Sequence, residues 1–251
     1  MNDMSPRAMR LWGALGCLGV FLALLFLCLM PLVLIDTMRA ALENLHLSAT
    51  AALVVVAGIF AGSLINIPVH RIERPEQQLI ETLAIFRFWG WDEPRFVRVR
   101  EDTIIAINVG GCVIPVALAL WQVMNLLDAG GWPLSALAII AAVNVAVCYS
   151  LALPVNGVGI IMPGLASPVT AIGLTWLFLA PDAYDPVRAP VAFVAGVLGP
   201  LVGADLLHLK DISKVSVGML SIGGAGTFDG IFMTGILAVL LASLLTPRSG
   251  R

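Results

Sequence analysis

Between Val215 and Leu245 the chain is apolar for long enough to cross a membrane, yet the run is broken in its middle. The break reads Ser221-Ile222-Gly223-Gly224-Ala225-Gly226-Thr227-Phe228-Asp229-Gly230-Ile231-Phe232. Four of the five residues from Gly223 to Thr227 are poor helix formers, and the carboxylate of Asp229 follows them. Glycine in a helix interior costs about 1 kcal/mol against alanine. A carboxylate in hydrocarbon costs about 2.5–3.5 kcal/mol on insertion scales. A helix that only sits in lipid has use for neither, so this stretch marks the centre of whatever the chain does.

The rest of the chain supports a membrane setting. Of its 251 residues 59% are hydrophobic and only 12% charged, where a soluble domain carries about 25% charged residues. Mean hydropathy is +0.98. These values predict an all-α, polytopic transmembrane bundle forming one integral membrane domain over residues 1–251. Net charge is −2, which gives no case for nucleic-acid binding. Cys17, Cys28, Cys112 and Cys148 all lie in apolar runs, without a CxxC pair or nearby histidine. Neither a disulfide framework nor a metal site is indicated, and no cofactor is implied. Arg7 and Arg10 precede an apolar run of about 25 residues from Leu11 to Ile35. A signal h-region is about 7–15 residues and a span about 20, so this run reads as the first span.

Apolar windows place further spans near 47–67, 103–127, 133–153, 168–180, 189–209 and 215–245, about seven in all. Segment 154–164 is apolar but broken by Pro154, Gly157, Gly159, Pro163 and Gly164. It reads either as a re-entrant hairpin or as part of a span. With the N-terminus inside, ten Lys and Arg fall on the inner side and four on the outer, which favours that orientation. The 68–102 loop is then cytoplasmic. It carries six arginines and seven acids, and Leu79, Ile80, Leu83, Phe86, Phe88 and Trp89 within it fit either an amphipathic helix on the inner leaflet or a solvated connector.

Two acids lie well inside apolar sequence, Asp205 and Asp229. A short polar link, Lys210 to Lys214, joins their spans, so the spans are neighbours and the acids can meet. Two carboxylates in one low-dielectric site cannot both ionise easily. Sharing a proton, they form the arrangement with which aspartic proteases activate water. Asp229 lies about 15 residues into its run, some 22 Å along a straight helix, whereas Asp205 is one turn from the end of its own. The acids therefore meet only if 215–227 is not a straight helix, and Gly223, Gly224 and Gly226 permit that bend. The same break supports a second reading. Thr227 fits an N-cap, and broken helices bind ions and solutes in secondary transporters. Asp205 and Asp229 would then hold protons or sodium, with Asn108, Asn156 and Ser221 lining the path. Asn108, Asn144 and Asn156 also fit plain helix–helix hydrogen bonding. Both acids also fit a structural role, as in a non-catalytic membrane assembly or lipid-binding protein, and His208 fits a surface one. Gly196, Gly199, Gly203, Gly218 and Gly235 fit close helix contacts.

Pro154-Val155-Asn156-Gly157-Val158-Gly159-Ile160, Gly203-Ala204-Asp205-Leu206-Leu207 and the 221–232 stretch resemble the uncharacterised prokaryotic membrane family called domain of unknown function 1614. Gly-Ser-Leu-Ile-Asn-Ile-Pro at 62–68 and Asn-Val-Gly-Gly at 108–111 fit it too. The resemblance implies a multi-pass protein of the inner membrane and supplies no activity. A weaker resemblance is to the presenilin and prepilin-peptidase class of intramembrane aspartyl proteases. Asp205 would match their first acid and Asp229 their second. Two extra residues separate glycine from acid here, the Pro-Ala-Leu element is missing, and a spacing of 24 residues is short. The partners implied are membrane lipids and a membrane peptide or small solute, with the oligomeric state open.

Overall fold

The computed structural model describes residues 6–72, 77–81, 95–99, 103–128, 130–155, 159–180, 184–210, 218–224, 235–237 and 239–240. It divides into two compact units, Met1–Val56 and Ala57–Arg251.

The first unit is dominated by α1, Pro6–Glu43. Val20, Phe21, Leu24, Leu32 and Val33 are exposed along it, while Met38, Ala41, Leu42 and Leu45 at its end are buried. This is the distribution of a helix whose middle faces an apolar medium. Arg39 bonds Asp36 and Glu43, each at 2.8 Å, where the helix turns polar. His46, in the left-handed region at φ 65°, ends the element. Ser48 then caps the next helix, accepting from the Ala51 amide at 3.2 Å. That helix, α2, runs Ala49–Gly62.

In the second unit the chain forms β1 (Asn66–Ile72), β2 (Gln77–Glu81), β3 (Arg95–Val99) and β4 (Thr103–Asn108). A π-helical segment, π1, Val109–Val113, leads into α3, Ile114–Leu127. Then come α4 (Gly131–Leu151), β5 (Leu153–Val155), β6 (Gly159–Ile161), α5 (Ala166–Phe178) and α6 (Asp185–Leu198). A second π-helical segment, π2 (Gly199–Leu206), continues α6, and β7 is Gly218–Ile222. Among the described residues three helices are long and apolar enough to cross a membrane, Val109–Leu127, Gly131–Leu151 and Asp185–Leu206. Ala49–Gly62 and Ala166–Phe178 are apolar but shorter.

The molecule is mostly helical, but the expectation of an all-α chain is corrected. β4 lies between β1, antiparallel, and β7, parallel. The windows at 103–127 and 215–245 each include a strand of this sheet, and the window at 47–67 runs into the start of β1. The physical reason is that a buried central strand is a continuous apolar run, which hydropathy cannot tell from a helix. Thr103-Ile-Ile-Ala-Ile is rich in β-branched residues, and Thr103, Ile105 and Ala106 are buried. In the 68–102 loop, the amphipathic helix suggested around Leu79 is replaced by the β2–β3 hairpin, with Leu79 opposite Val97 and Ile80 opposite Phe96. Leu83, Phe86, Phe88 and Trp89 lie outside the described residues. In segment 154–164, β5 and β6 pair antiparallel, Leu153 with Ile161. It returns the chain from the end of α4 to the start of α5, at one end of the bundle.

α6 is the central helix. Val191, Ala192, Phe193, Val194, Ala195 and Val197 are all buried, and α3, α4 and α5 pack around them. Gly235 follows the same rule, since a Cβ there would lie 2.9 Å from Phe193 and from Val197. Outward positions such as Leu120, Met124, Val169 and Leu177 stay apolar and exposed, as lipid contact requires. The end of the bundle away from the sheet is closed by Arg188, which is 1% exposed. Its Nε donates to the Leu179 carbonyl at 2.6 Å, and Nη2 donates to that of Ala180. Nη1 pairs with Asp185, and the guanidinium stands 4.4 Å from the Trp176 ring centroid. One planar fork thus satisfies carbonyls left over at the end of α5. Arg188→Leu is expected to cost about 2–4 kcal/mol, because each buried carbonyl left unpaired costs about 1–3 kcal/mol. Arg188→Lys should recover only part of this. Thermal midpoints in detergent check both.

Candidate functional site

The site is assembled where β4 ends. Asn108 is the last residue of β4 and the N-cap of π1, its Oδ1 accepting from the Gly111 amide at 2.8 Å. Its Nδ2 donates to the Ser63 carbonyl at 2.8 Å and to Asn66 Oδ1 at 3.1 Å. Asn66 Oδ1 also accepts from the Ser221 hydroxyl at 2.5 Å. Two asparagines and a serine therefore tie together three segments distant in sequence. Asn108 is only 2% exposed, and at that depth polar groups must be paired.

Close backbone approach completes the junction. A Cβ on Gly110 would lie 2.1 Å from the Ile59 carbonyl oxygen and 2.4 Å from the Ser63 amide. Gly62 answers from the other side, its own Cβ position being 2.9 Å from the Gly110 amide. The Val109 amide donates to the Ile65 carbonyl at 3.0 Å.

β7 delivers the glycine-rich stretch to this junction. Gly223 follows the strand with φ at +73°, a conformation that favours glycine. A Cβ there would sit 2.6 Å from Cys112 Cβ and 2.8 Å from the Cys112 amide. The Gly224 amide closes the turn onto the Ser221 carbonyl at 3.3 Å. The Gly223 amide points the other way and donates to Asp205 Oδ2 at 3.4 Å.

Asp205 stands in π2, one residue from the end of its candidate span. π-helical turns are rare and occur often at functional sites. Pro200 helps to explain this one. It has no N–H, so the Gly196 carbonyl lacks its α-helical donor. The i→i+5 pattern is carried through to the Leu207 amide, which bonds the Val202 carbonyl at 3.0 Å. His208 ends the segment. Its Nδ1 lies 3.1 Å from both the Gly203 and Ala204 carbonyls, so it carries the proton and donates. Its ring stacks on Tyr149 with centroids 4.7 Å apart.

Of the residues expected to form the site, Asp205, Gly223, Gly224 and Asn108 come together here. Gly226, Thr227, Asp229 and Asn156 lie outside the described residues. Asn144 bonds across helices as expected, to Ser167 Oγ at 2.9 Å and the Ala195 carbonyl at 2.8 Å. Gly199 and Gly203 are close-contact glycines, their Cβ positions falling 2.4 Å from Asn144 Nδ2 and 2.4 Å from the Val145 carbonyl oxygen. Gly218 is not, having nothing within 4 Å among the described residues and φ at +95°, so its role is conformational. The surface role expected of His208 is corrected, since it is 8% exposed and internally bonded. Sequence reasoning did not assign roles to Asn66 and Gly110. Their signal was the pair of Asn-containing motifs at 62–68 and 108–111, each breaking an apolar run. Among the described residues no three His, Cys, Asp or Glu side chains gather as a metal cluster.

An apolar helix bundle carrying a small sheet at one end, with an acid held on a glycine turn between them, defines a membrane protein with an interrupted-helix site. The chain belongs to the family described as Protein of unknown function (DUF1614), whose match covers residues 60–241. No curated protein and no solved structure matches it.

Proposed function

We propose that this protein is an intramembrane aspartyl hydrolase in which Asp205 and Asp229 share a proton and activate water. The observation that carries the reading is the contact of the Gly223 amide with Asp205. The 215–227 region does not run as a straight helix, because 218–222 is a strand ending in a left-handed glycine. A bend there is what the pairing of the two acids requires, and Asp229 follows Gly223 by six residues. One carboxylate takes a proton from water as the hydroxide adds to a carbonyl carbon, and the other protonates the carbonyl oxygen. The substrate class is a membrane-embedded peptide entering from the lipid, in a protein with seven crossings and its N-terminus inside a prokaryotic cell.

The test uses a photoreactive hydroxyethylene peptide isostere, which mimics the tetrahedral intermediate and binds a matching site far more tightly than substrate does. Wild-type protein should be labelled, whereas Asp205→Asn and Asp229→Asn should each lose at least ten-fold of the labelling. Equal labelling of all three proteins would sink the hydrolase. A second reading, an ion-coupled transporter, is favoured by the two interrupted segments at 153–161 and 218–224. It predicts proton- or sodium-driven solute uptake into liposomes that Asp205→Asn abolishes, with no isostere labelling.

A further inference from the structure

We infer that Asn144 and Ser167 are positioning residues that set the register of π2 and so aim Asp205 at Gly223. The inference rests on Asp205 being the working acid. Asn144 and Ser167 are both fully buried, at the point where α6 passes into π2. Asn144 Nδ2 donates to the Ala195 carbonyl, which already accepts from the Gly199 amide. Ser167 Oγ donates to the Gly196 carbonyl at 3.3 Å, the group that Pro200 deprives of its α-helical donor. Asn144 Oδ1 in turn accepts from the Cys148 thiol at 3.8 Å.

These bonds fix where the wide turns begin. A turn of i→i+5 type holds one residue more than an α-helical turn, so a wide turn placed before Asp205 swings it by about one residue, roughly 100°. Starting the wide turns one position earlier or later would aim another side chain at Gly223. The far end of π2 is held by the same helix, α4. Gly203 lies against the Val145 carbonyl, and His208 stacks on Tyr149. Thus α4 grips π2 at both ends, and Asp205 projects between the grips toward β7. Neither Asn144 nor Ser167 touches Asp205 directly in the contacts above; they act through the helix backbone.

The experiment reads hydrogen–deuterium exchange at the Gly223 amide in the full-length protein in detergent. Asp205→Ala should speed that exchange about ten-fold, the worth of one hydrogen bond. Asn144→Val and Ser167→Ala should each approach the same rate, with the amides of 104–107 in β4 unchanged. Combined with Asp205→Ala, Asn144→Val should add nothing, since both act on one contact. The inference is overturned if the monodisperse variants keep the wild-type Gly223 rate, or if Asn144→Val speeds exchange equally with and without Asp205. Should Asn144→Val fail to yield monodisperse protein, Ser167→Ala, which deletes one hydroxyl, decides by the same criterion. The readout is an amide and the labelling test reads the acid, so the two proposals fail separately.

Discussion

Gly110→Val is expected to abolish monodisperse protein altogether. The added Cβ would stand 2.1 Å from the Ile59 carbonyl oxygen and 2.4 Å from the Ser63 amide. Both are backbone atoms at the end of α2, so no side-chain rotation can clear them. Overpacking in a core usually costs about 1–3 kcal/mol, where neighbours can shift. Here the segment 59–63 would have to move as a body. It is pinned by the Ser63 carbonyl on Asn108 and the Ile65 carbonyl on Val109. A cost above about 5 kcal/mol follows, comparable with the whole stability of many domains. Gly110→Ala should fail nearly as badly, because the clash is with Cβ itself. Gly173→Ala is the matched control, since nothing among the described residues lies within 4 Å of a Cβ there. It should leave stability within about 1 kcal/mol. Size-exclusion profiles of the detergent extracts read all three.

Asn108→Leu should be the most damaging change that adds no backbone clash. It removes the cap on the Gly111 amide and both donations from Nδ2. The Gly111 amide and Ser63 carbonyl would be left in a place Asn108 now keeps nearly dry, at about 1–3 kcal/mol each. A total near 3–5 kcal/mol is expected. Asn108→Asp separates the two halves of the role. It keeps an acceptor for Gly111 but sets a carboxylate against the Ser63 carbonyl and Asn66 Oδ1. Because it repels what asparagine joins, it should be no better than Asn108→Leu. If Asn108→Asp instead kept wild-type thermal stability, the bridge to Ser63 and Asn66 would carry little of the junction's strength.

The two changes strike the same place because three interruptions meet there. Gly62 to Pro68, Asn108 to Gly111 and Ser221 to Gly224 each break an apolar run in sequence. In the fold they are bonded to one another through Asn66, Asn108 and Ser221. A break that is costly alone is tolerated when its freed polar groups find partners in another break. This is also why Asp205 sits beside Gly223: the turn presents its amide, and the acid supplies an acceptor.

The amino-acid sequence by itself determined the membrane class, the positions of the main apolar helices, the family, and the segments that could not be plain helix. The family rests on the motifs that carry the resemblance; for the rest, composition and the cost of glycine and carboxylate in lipid suffice, because both act locally. It also determined that Asp205 and Asp229 could meet only if 215–227 was bent. What only tertiary structure decided was the form of the bend. Gly218–Ile222 became a strand because β4 offered it a parallel partner, and 103–108 became a strand for the same reason. An apolar run looks alike to hydropathy whether its amides bond within the run or to a neighbour. That choice depends on residues more than 100 positions away, and no local pattern records it.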